Sequence, residues 1–299
     1  MTRISVGILA SVAFATGCSG FINDQAATST SRILEQSSVA SRRLADVQLA
    51  REALPGGIVQ LEAFALAYPD HDEFKRMHAE AFCQYAVAFV FDDWEDAKLA
   101  ARAAQAESIA GRLRPLLAQC AQLEGALLPR TWRDANAKGP EGLRALLPMA
   151  TRAEVGPLLW IATTDAVLIA LDPVRNFTRL PGVEALLARC MEIAPGFHDA
   201  DAEILAATLE AGRGALFGNT DGQAAFDRAR MRAGDGALIV DVMYARGTAV
   251  ARKDHALFVA TLERVLATDV ERWPERRLAN EIARQKARRY LAAAAVLIP

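Results

Sequence analysis

The sequence lacks the short motifs that mark the common enzyme classes. It contains no GxxxxGKS or GxxxxGKT phosphate-binding loop, no HExxH metal motif and no GxSxG nucleophile turn. Each motif exists because its chemistry needs those residue types at that spacing, to cradle a phosphate, hold zinc or expose a serine. We therefore expect no catalytic residue, no cofactor and no enzymatic activity.

Cysteine is also scarce, with four residues in a chain of 299. Cys18 lies near the N-terminus, whereas Cys83, Cys120 and Cys190 lie in apolar helical patterns without CxxC or metal-type spacing. An odd number remains once Cys18 is set aside, which argues against a disulfide framework. We expect three buried free thiols.

Neither sign of charge is in excess, since 34 Lys and Arg stand against 36 Asp and Glu, a net charge of −2. Arg3 is the only charged residue among residues 1–17, so removing that segment changes the net charge to −3. This balance excludes a general attraction to nucleic acid or to anionic lipid.

The N-terminus carries the features of an export signal. Arg3 is followed by an uncharged apolar stretch, residues 4–15, and then by Ala15-Thr16-Gly17-Cys18. A charged start, a short apolar run and small residues before the cut are typical of a secretory signal, and a cysteine directly after the cut is typical of a bacterial lipoprotein. We predict a signal peptide over residues 1–17 and lipidation of Cys18; the alternative is an ordinary signal peptide with an incidental cysteine.

The anchor and its surroundings define the expected location. Ser19, not Asp, follows the cysteine, so retention at the inner membrane is not signalled. Residues 18–40 are rich in Ser, Thr, Ala and Gln and are interpreted as the lipidated cysteine with a flexible tether. We therefore expect a periplasmic protein anchored by lipid, at the periplasmic face of the outer membrane.

From residue 41 onward the sequence indicates helix after helix. No stretch shows sustained apolar and polar alternation, and breaks come at Pro, Gly and Asp. The breaks at Ala194-Pro195, Ala233-Gly234 and Ala267-Thr268 are 39 and then 34 residues apart. Paired helices at that period are typical of tetratricopeptide (TPR) arrays. We predict an all-α fold, an array of TPR-like antiparallel helical hairpins, as a single domain over residues 41–299.

Two histidine-containing clusters contain side chains of the types that bind metal ions. His71-Asp72-Glu73 is followed by His78 and Glu80, and His198-Asp199 has the same form. Both clusters stand where a helix is expected to begin, and acids and oxygen acceptors are favoured there in any case. We therefore interpret them as helix starts and expect no metal.

The run Asp92-Asp93-Trp94-Glu95-Asp96 surrounds one aromatic residue with acids. Such a cluster docks a basic partner in some proteins. An N-cap followed by acids in the first helical turn explains the run more simply. We favour the cap, with a helix beginning at Trp94.

Asp165 lies within an expected helix that is apolar on every side, residues 157–170. A helix of this kind is buried, and a buried carboxylate needs a partner. The C-terminal helix offers basic candidates: Arg276, Arg277, Arg284, Lys286, Arg288 and Arg289. We favour a structural salt bridge; the alternative is a polar group that points into a ligand cavity.

Aromatic and aliphatic residues also cluster over residues 85–91. Several segments, taken together, resemble the T-component lipoproteins of tripartite ATP-independent periplasmic (TRAP) transporters. The resemblance covers nearly the whole mature chain and is carried by Tyr85-Ala86-Val87-Ala88-Phe89-Val90, Leu159-Trp160-Ile161-Ala162, Leu180-Pro181-Gly182-Val183, Ile193-Ala194-Pro195-Gly196-Phe197 and Arg277-Leu278-Ala279-Asn280-Glu281-Ile282-Ala283.

The resemblance implies a non-enzymatic accessory of a TRAP-type uptake system. It implies a homotrimer, an apolar pore or cleft in each protomer, a small apolar or amphipathic ligand, with carboxylates among the candidates, and the transporter's substrate-binding protein (P-component) as partner. Tyr85, Phe89 and Trp160 become candidates for the cavity lining and Asn280 for a polar contact. Asp165 is a further candidate, and a departure from the family, where small or neutral residues are usual.

Two other interpretations remain beside this one. The apolar helices form either a closed core or the wall of a pocket, and composition favours a core. A TPR-type lipoprotein scaffold for envelope protein assembly is the alternative function, and it would present a polar concave groove without an internal cavity.

Overall fold

The computed structural model describes residues 7–218 and 222–299, and every regular element in these two ranges is helical. The predicted all-α class is therefore confirmed. Residues 1–6 of the predicted signal peptide lie outside the described residues, and so does the side chain of Cys18.

The segment interpreted as a tether belongs to a single helix in the structure, α1, Gly7–Arg42. Its later part packs on the rest of the fold, because Ala27 is 0% exposed and Ser31 is 8% exposed. These contacts are with the helix of residues 277–292 and with the turn of residues 274–276. Helical backbone thus extends through the expected tether, while the signal peptide and the lipidation of Cys18 stay predictions.

The first five helical elements of the domain are α2 Val47–Ala67, α3 Asp72–Tyr85, a π-helical segment Ala86–Phe91, α4 Asp92–Leu99 and α5 Ala103–Leu127. The Asp46 carboxylate caps α2 by accepting hydrogen bonds from the backbone N–H of Gln48 and Leu49. The predicted helix start at Trp94 was wrong. The chain stays helical from Asp72 to Leu99 and breaks at Ala101, whose φ is +55°.

The middle of the chain alternates short turns with one apolar helix: α6 Arg130–Asn136, α7 Pro140–Arg144, 3₁₀ turns Leu147–Met149 and Arg152–Glu154, α8 Val155–Leu171, α9 Pro173–Asn176 and a 3₁₀ turn Phe177–Arg179. By length and composition, residues 152–171 would suffice to cross a membrane. Most of that stretch is buried against α5 and α10 (Leu180–Ile193), as expected of a core helix.

The remaining helices complete the domain: α11 Phe197–Phe217, α12 Gln223–Ala233, α13 Leu238–Tyr244, a π-helical segment Ala245–Ala249, α14 His255–Ala267, 3₁₀ turns Val270–Arg272 and Pro274–Arg276, α15 Arg277–Ala292 and α16 Ala294–Leu297. Gly234, at φ +70°, ends α12, because glycine adopts a positive φ without steric cost. Asp254 caps α14 by accepting from the N–H of Leu257.

Successive helices pack side by side along the chain, and α15, near the C-terminus, packs against the first two helices. α3 contacts both α2 and α5, α8 lies between α5 and α10, and α11 lies between α10 and α12. α15 contacts α13 and α14 and also reaches back to α1 and α2. The two ends of the domain therefore meet, and this meeting places several of the candidate residues.

Candidate functional site

Tyr85 and Phe89 lie together where α3 passes into the π-helical segment. Their ring centroids are 5.9 Å apart. Phe89 is 2% exposed and packs against Val47 and Ala50 of α2 and partly buried residues of α15. Tyr85 is half-buried, and its hydroxyl accepts a hydrogen bond from Arg112 Nη2 at 3.1 Å. Phe89 is thus enclosed by side chains, whereas Tyr85 keeps one edge toward solvent.

Asn280 lies on α15, near the other end of the chain. Its neighbours on α15, Leu278 and Ile282, pack against the Phe89 cluster. Asn280 itself is 1% exposed, and its Oδ1 accepts a hydrogen bond from the Leu238 N–H at 3.3 Å. Its Nδ2 is buried without a hydrogen-bond partner among the described residues. Asn280 is two residues from both Leu278 and Ile282, so it lies on the opposite face of α15, toward α13 and away from Phe89, and keeps a spare donor there.

Trp160 is placed apart from these residues. It is half-buried on α8, about two turns before Val167. Three residues of α8, Val167, Leu168 and Leu171, belong to the apolar cluster that contains Ala86 and Val90 of the π-helical segment. The two predicted cavity helices therefore share an apolar cluster with α5, and Trp160 is not part of it.

Asp165 has its expected ion pair, but the predicted partner helix was wrong. Arg179 Nη1 donates to Asp165 Oδ1 at 2.5 Å, and the carboxylate side chain is 8% exposed. Burial raises the pKa of Asp165, and the charge and hydrogen bond of Arg179 oppose that rise. Arg179 comes within reach because the chain turns back on α8 through α9 and a 3₁₀ turn.

A cavity of about 240 Å³ lies beside this ion pair. Leu168 and Leu171 give it apolar walls. The other lining residues are polar or charged: Arg114, Asp172, Arg175, Asn176 and Arg179. Such a lining suits a small molecule that carries both an apolar part and an anionic group.

Two exposed apolar side chains lie near this cavity. Val174 is 95% exposed and Phe177 is 48% exposed, and both flank Arg175 in the chain. Aromatic and arginine side chains at a surface are the residue types that protein interfaces favour.

The acid cluster at residues 92–96 forms an internal ion-pair network rather than a helix cap, and the cap interpretation was wrong. Asp92 makes no capping contact, since the residue before it is already helical. Arg289 of α15 donates to both Asp92 oxygens, at 2.7 and 2.8 Å, and to Glu95 at 3.0 Å. Lys286 pairs with the same two acids, and the Tyr290 hydroxyl donates to Glu95 at 2.7 Å.

The network is buried, and its charges are balanced two against two. The four side chains are 11–17% exposed. Burial alone would raise the pKa of Asp92, but the hydrogen bond from Arg289 and the charges of Lys286 and Arg289 outweigh it, and the pKa is about 2. Burial would likewise lower the pKa of Lys286, yet Glu95 and Asp92 hold it above its usual range. All four groups are therefore ionised at neutral pH.

Two of the three expected free thiols are joined, so that expectation was wrong for them. Cys83 of α3 and Cys120 of α5 form a disulfide, and both residues are 0% exposed. Cys190 is free, as expected, and burial raises the pKa of its thiol to about 12. An odd number of cysteines excludes a fully paired set but leaves room for one pair.

A buried carboxyl group lies beside this disulfide. Glu124 is one turn after Cys120 on α5 and is 2% exposed. Its Oε1 has no hydrogen-bond partner among the described residues. Burial and the charge of Glu80 on α3 raise the pKa of Glu124 to about 8, against the opposing charge of Arg76. Glu124 was not singled out from the sequence, where it is one acid within an apolar helical pattern.

Among the side chains that the structure describes, no three His, Cys, Asp or Glu residues are grouped to hold a metal ion. His71 begins α3 without a side-chain capping hydrogen bond. His78 is 5% exposed, and burial lowers its pKa.

Comparison with known families decides the broader assignment. A family model described as TRAP transporter T-component (TAtT) matches residues 44–297. The chain belongs to this family. A search among curated proteins finds no match.

The matched range contains every element from α2 to α16 and leaves out the predicted signal peptide and the tether. It therefore contains the Phe89 cluster, the arginine-lined cavity, the ion-pair network and the disulfide. The resemblance read from the sequence is confirmed, and with it an accessory part in TRAP transport at the cell envelope.

The buried carboxyl group gives a test of the electrostatics in the α3–α5 interface. Glu124 has a pKa of about 8 in the fold, against an ordinary value of 4.5. Between these values the folded chain holds a proton that the unfolded chain has lost, so stability falls as pH rises through that window. We expect Glu124→Gln to remove this fall, up to about 1.4 kcal/mol per pH unit. Urea unfolding of both proteins from acidic to mildly alkaline pH measures it.

Glu107→Gln is the matched control, because Glu107 lies on the same helix and is exposed. Its pH profile should follow that of the wild type. A Glu124→Gln profile parallel to the wild type would show that Glu124 ionises normally in the fold.

Proposed function

We propose that this chain is a non-enzymatic accessory lipoprotein of a TRAP-type uptake system. It is exported, anchored in the periplasm through Cys18, docks the transporter's substrate-binding protein and binds a small apolar or amphipathic ligand. The observation that carries the proposal is the family match over residues 44–297. Docking and ligand binding by this chain belong to the proposal and rest on the family's role.

The disulfide supports export. Disulfides persist in oxidising compartments such as the periplasm and are rare in the reducing cytosol. Cys83 and Cys120 pair in the interior of the domain. This support is independent of the N-terminal signal, because both cysteines lie within the matched range.

The packing order supports a TPR-like array of antiparallel hairpins. Neighbouring helices in the chain are neighbours in space from α10 to α15. Arrays of this kind present extended surfaces to partner proteins. The homotrimer that the family resemblance implies is part of the same proposal.

Two places in the domain support the ligand part of the proposal. Around Phe89 and Tyr85 the structure offers aromatic and aliphatic side chains. Beside Asp165 the cavity offers apolar walls and three guanidinium groups. Either suits an amphipathic molecule, and the second suits one with a carboxylate.

Co-purification from native membranes tests the proposal. We expect a tagged full-length chain to fractionate with membranes and to bring down the TRAP substrate-binding protein, identified by mass spectrometry. Cys18→Ala should move the chain to the soluble fraction, because the lipid attachment site is gone. Recovery of envelope assembly proteins without a TRAP component would contradict the proposal and favour the scaffold alternative.

A further inference from the structure

The cavity beside Asp165 lies at the corner where α8 ends and the chain turns back through α9. Asp172 follows α8 directly, and its carboxylate accepts a hydrogen bond from the Arg175 N–H at 3.2 Å. Asn176 Nδ2 donates to the backbone oxygens of Leu168 and Asp172, at 2.9 and 3.0 Å. These bonds satisfy carbonyl groups at the end of a helix, where the helix itself supplies no donor. The corner is therefore fixed by its own hydrogen bonds, as a preorganised binding site requires.

The volume and the apolar wall of this cavity limit what it can hold. Leu168 and Leu171 are three residues apart on α8, and both line the cavity. Its volume of about 240 Å³ is smaller than the roughly 300–1,000 Å³ of pockets that take drug-sized molecules. Solvent has access to it, because the lining side chains of Arg114 and Arg179 are partly exposed. The cavity therefore has room for a molecule with a short aliphatic chain.

Two arginines in the lining are held only by exposed ion pairs. Arg114 of α5 contacts Glu107 through Nη1 at 3.2 Å, and the Glu107 side chain is 75% exposed. Arg175 contacts Asp172 through Nε at 3.4 Å, and the Arg175 side chain is 85% exposed. A guanidinium has five N–H donors, of which each of these contacts uses one. Exposed pairs contribute about 0–1 kcal/mol, so an anionic ligand can share or replace them at little cost.

The charges around the cavity suit a single negative charge. The third arginine, Arg179, is 2.5 Å from the buried Asp165 and belongs to that pair. Three guanidinium groups stand against the carboxylates of Asp165 and Asp172, which leaves one positive charge. Glu107 does not change this balance much, because an exposed carboxylate is hydrated and screened. A monoanion would neutralise the cavity, whereas a dianion would bring an excess of negative charge.

We propose that this cavity binds a small aliphatic monocarboxylate, with the carboxylate on Arg114 and Arg175 and the chain against Leu168 and Leu171. Guanidinium groups recognise carboxylates through paired, charge-assisted hydrogen bonds. The third guanidinium stays with its buried carboxylate and adds positive charge nearby. The inference deepens the ligand part of the proposed function by naming the site and the class of ligand, and it rests on that function for the role of the ligand in uptake.

Isothermal titration calorimetry of the full chain tests the site with sodium hexanoate as the probe. We expect saturable binding of hexanoate at neutral pH and none of hexylammonium, which has the opposite charge. Acetate, which lacks the chain, and adipate, which adds a second charge, should bind more weakly than hexanoate. Arg114→Gln and Arg175→Gln should each weaken hexanoate binding about tenfold, as expected for loss of a charged hydrogen bond.

Arg152→Gln is the matched control, because Arg152 is exposed and lies in the 3₁₀ turn at the opposite end of α8. This variant should bind hexanoate as the wild type does. The inference is overturned if hexanoate does not saturate, if hexylammonium or adipate binds as tightly, or if Arg175→Gln and Arg152→Gln have equal affinity. Arg175→Gln keeps the test valid should Arg114→Gln fold poorly, because the Arg175 side chain is almost fully exposed.

Co-purification of the substrate-binding protein, measured on the same proteins, separates this inference from the proposed function. If hexanoate fails to bind while the substrate-binding protein still co-purifies, only the inference about the cavity is overturned. If hexanoate binds as expected while no TRAP component co-purifies, the cavity is supported as a carboxylate site and the accessory role is contradicted.

Discussion

Replacing Arg289 by alanine is expected to lower the free energy of unfolding by roughly 3–5 kcal/mol. Arg289 makes a two-pronged contact with Asp92 and a third hydrogen bond to Glu95, and its side chain is 13% exposed. Removing it leaves two buried carboxylates with Lys286 as their only cation in the network. Urea denaturation followed by circular dichroism measures the change.

The expected loss of stability comes from leaving buried carboxylates with too few cations to pair with. It does not come from a large net stabilisation by the intact ion pairs. A buried ion pair is expensive to desolvate, and replacing the whole network with apolar residues could be neutral. Arg289→Lys separates the two contributions. It keeps the charge but loses the paired geometry, because lysine cannot donate to both carboxylate oxygens from a planar fork. We expect its stability to lie between those of wild type and Arg289→Ala.

Arg288 supplies the matched control for this prediction. It is the adjacent residue on α15, carries the same charge and is exposed. Arg288→Ala should change stability by no more than about 0.5 kcal/mol, as surface substitutions usually do. If the two alanine variants were equally stable, the network would not join α4 to α15 in solution.

The helices were predictable from the sequence, but this network was not. Apolar spacing shows which face of a helix is buried, and Pro and Gly show where helices end. Neither shows which helix covers a given face. A signal was nevertheless present, because Asp92 and Glu95 are three residues apart and so are Lys286 and Arg289. Complementary charges at the same helical spacing can pair across any distance in the chain.

Asp165 is a second case in which the sequence predicts burial but not the partner. Its burial followed from the apolar helix around it, and the need for a cationic partner followed from its burial. The identity of the partner did not follow, because a high number of basic residues in the C-terminal helix does not indicate that this helix lies against α8. The structure uses Arg179, only 14 residues further along the chain, where a turn folds back on α8. Local chain geometry outweighed the number of basic residues available elsewhere.

Which of the candidate cavity residues lie together depends on tertiary structure even more strongly. Tyr85 and Phe89 are neighbours by helical spacing alone, four residues apart on one face. Leu278 and Ile282 reach their neighbourhood because α15 returns to α2, a closure that no local pattern encodes, and Asn280 consequently faces α13 instead. Glu124 and the disulfide beside it are likewise visible only once α3 and α5 are placed side by side.

Breaking the disulfide is expected to have the second large effect on stability. Cys83 and Cys120 are 37 residues apart in the chain. Closing a loop of that size restricts the unfolded chain, which corresponds to roughly 4 kcal/mol of stabilisation in the chain-entropy account. We expect dithiothreitol to lower the urea midpoint of the wild type accordingly, with the reduction completed before unfolding is measured.

The Cys83→Ala/Cys120→Ala double variant controls for other effects of the reductant. It should be less stable than the oxidised wild type and should show no further change with dithiothreitol. Cys190→Ala retains the disulfide and should respond to dithiothreitol as the wild type does, because Cys190 is free and buried. Equal stability of oxidised and reduced wild type would mean that packing between α3 and α5 alone holds the interface.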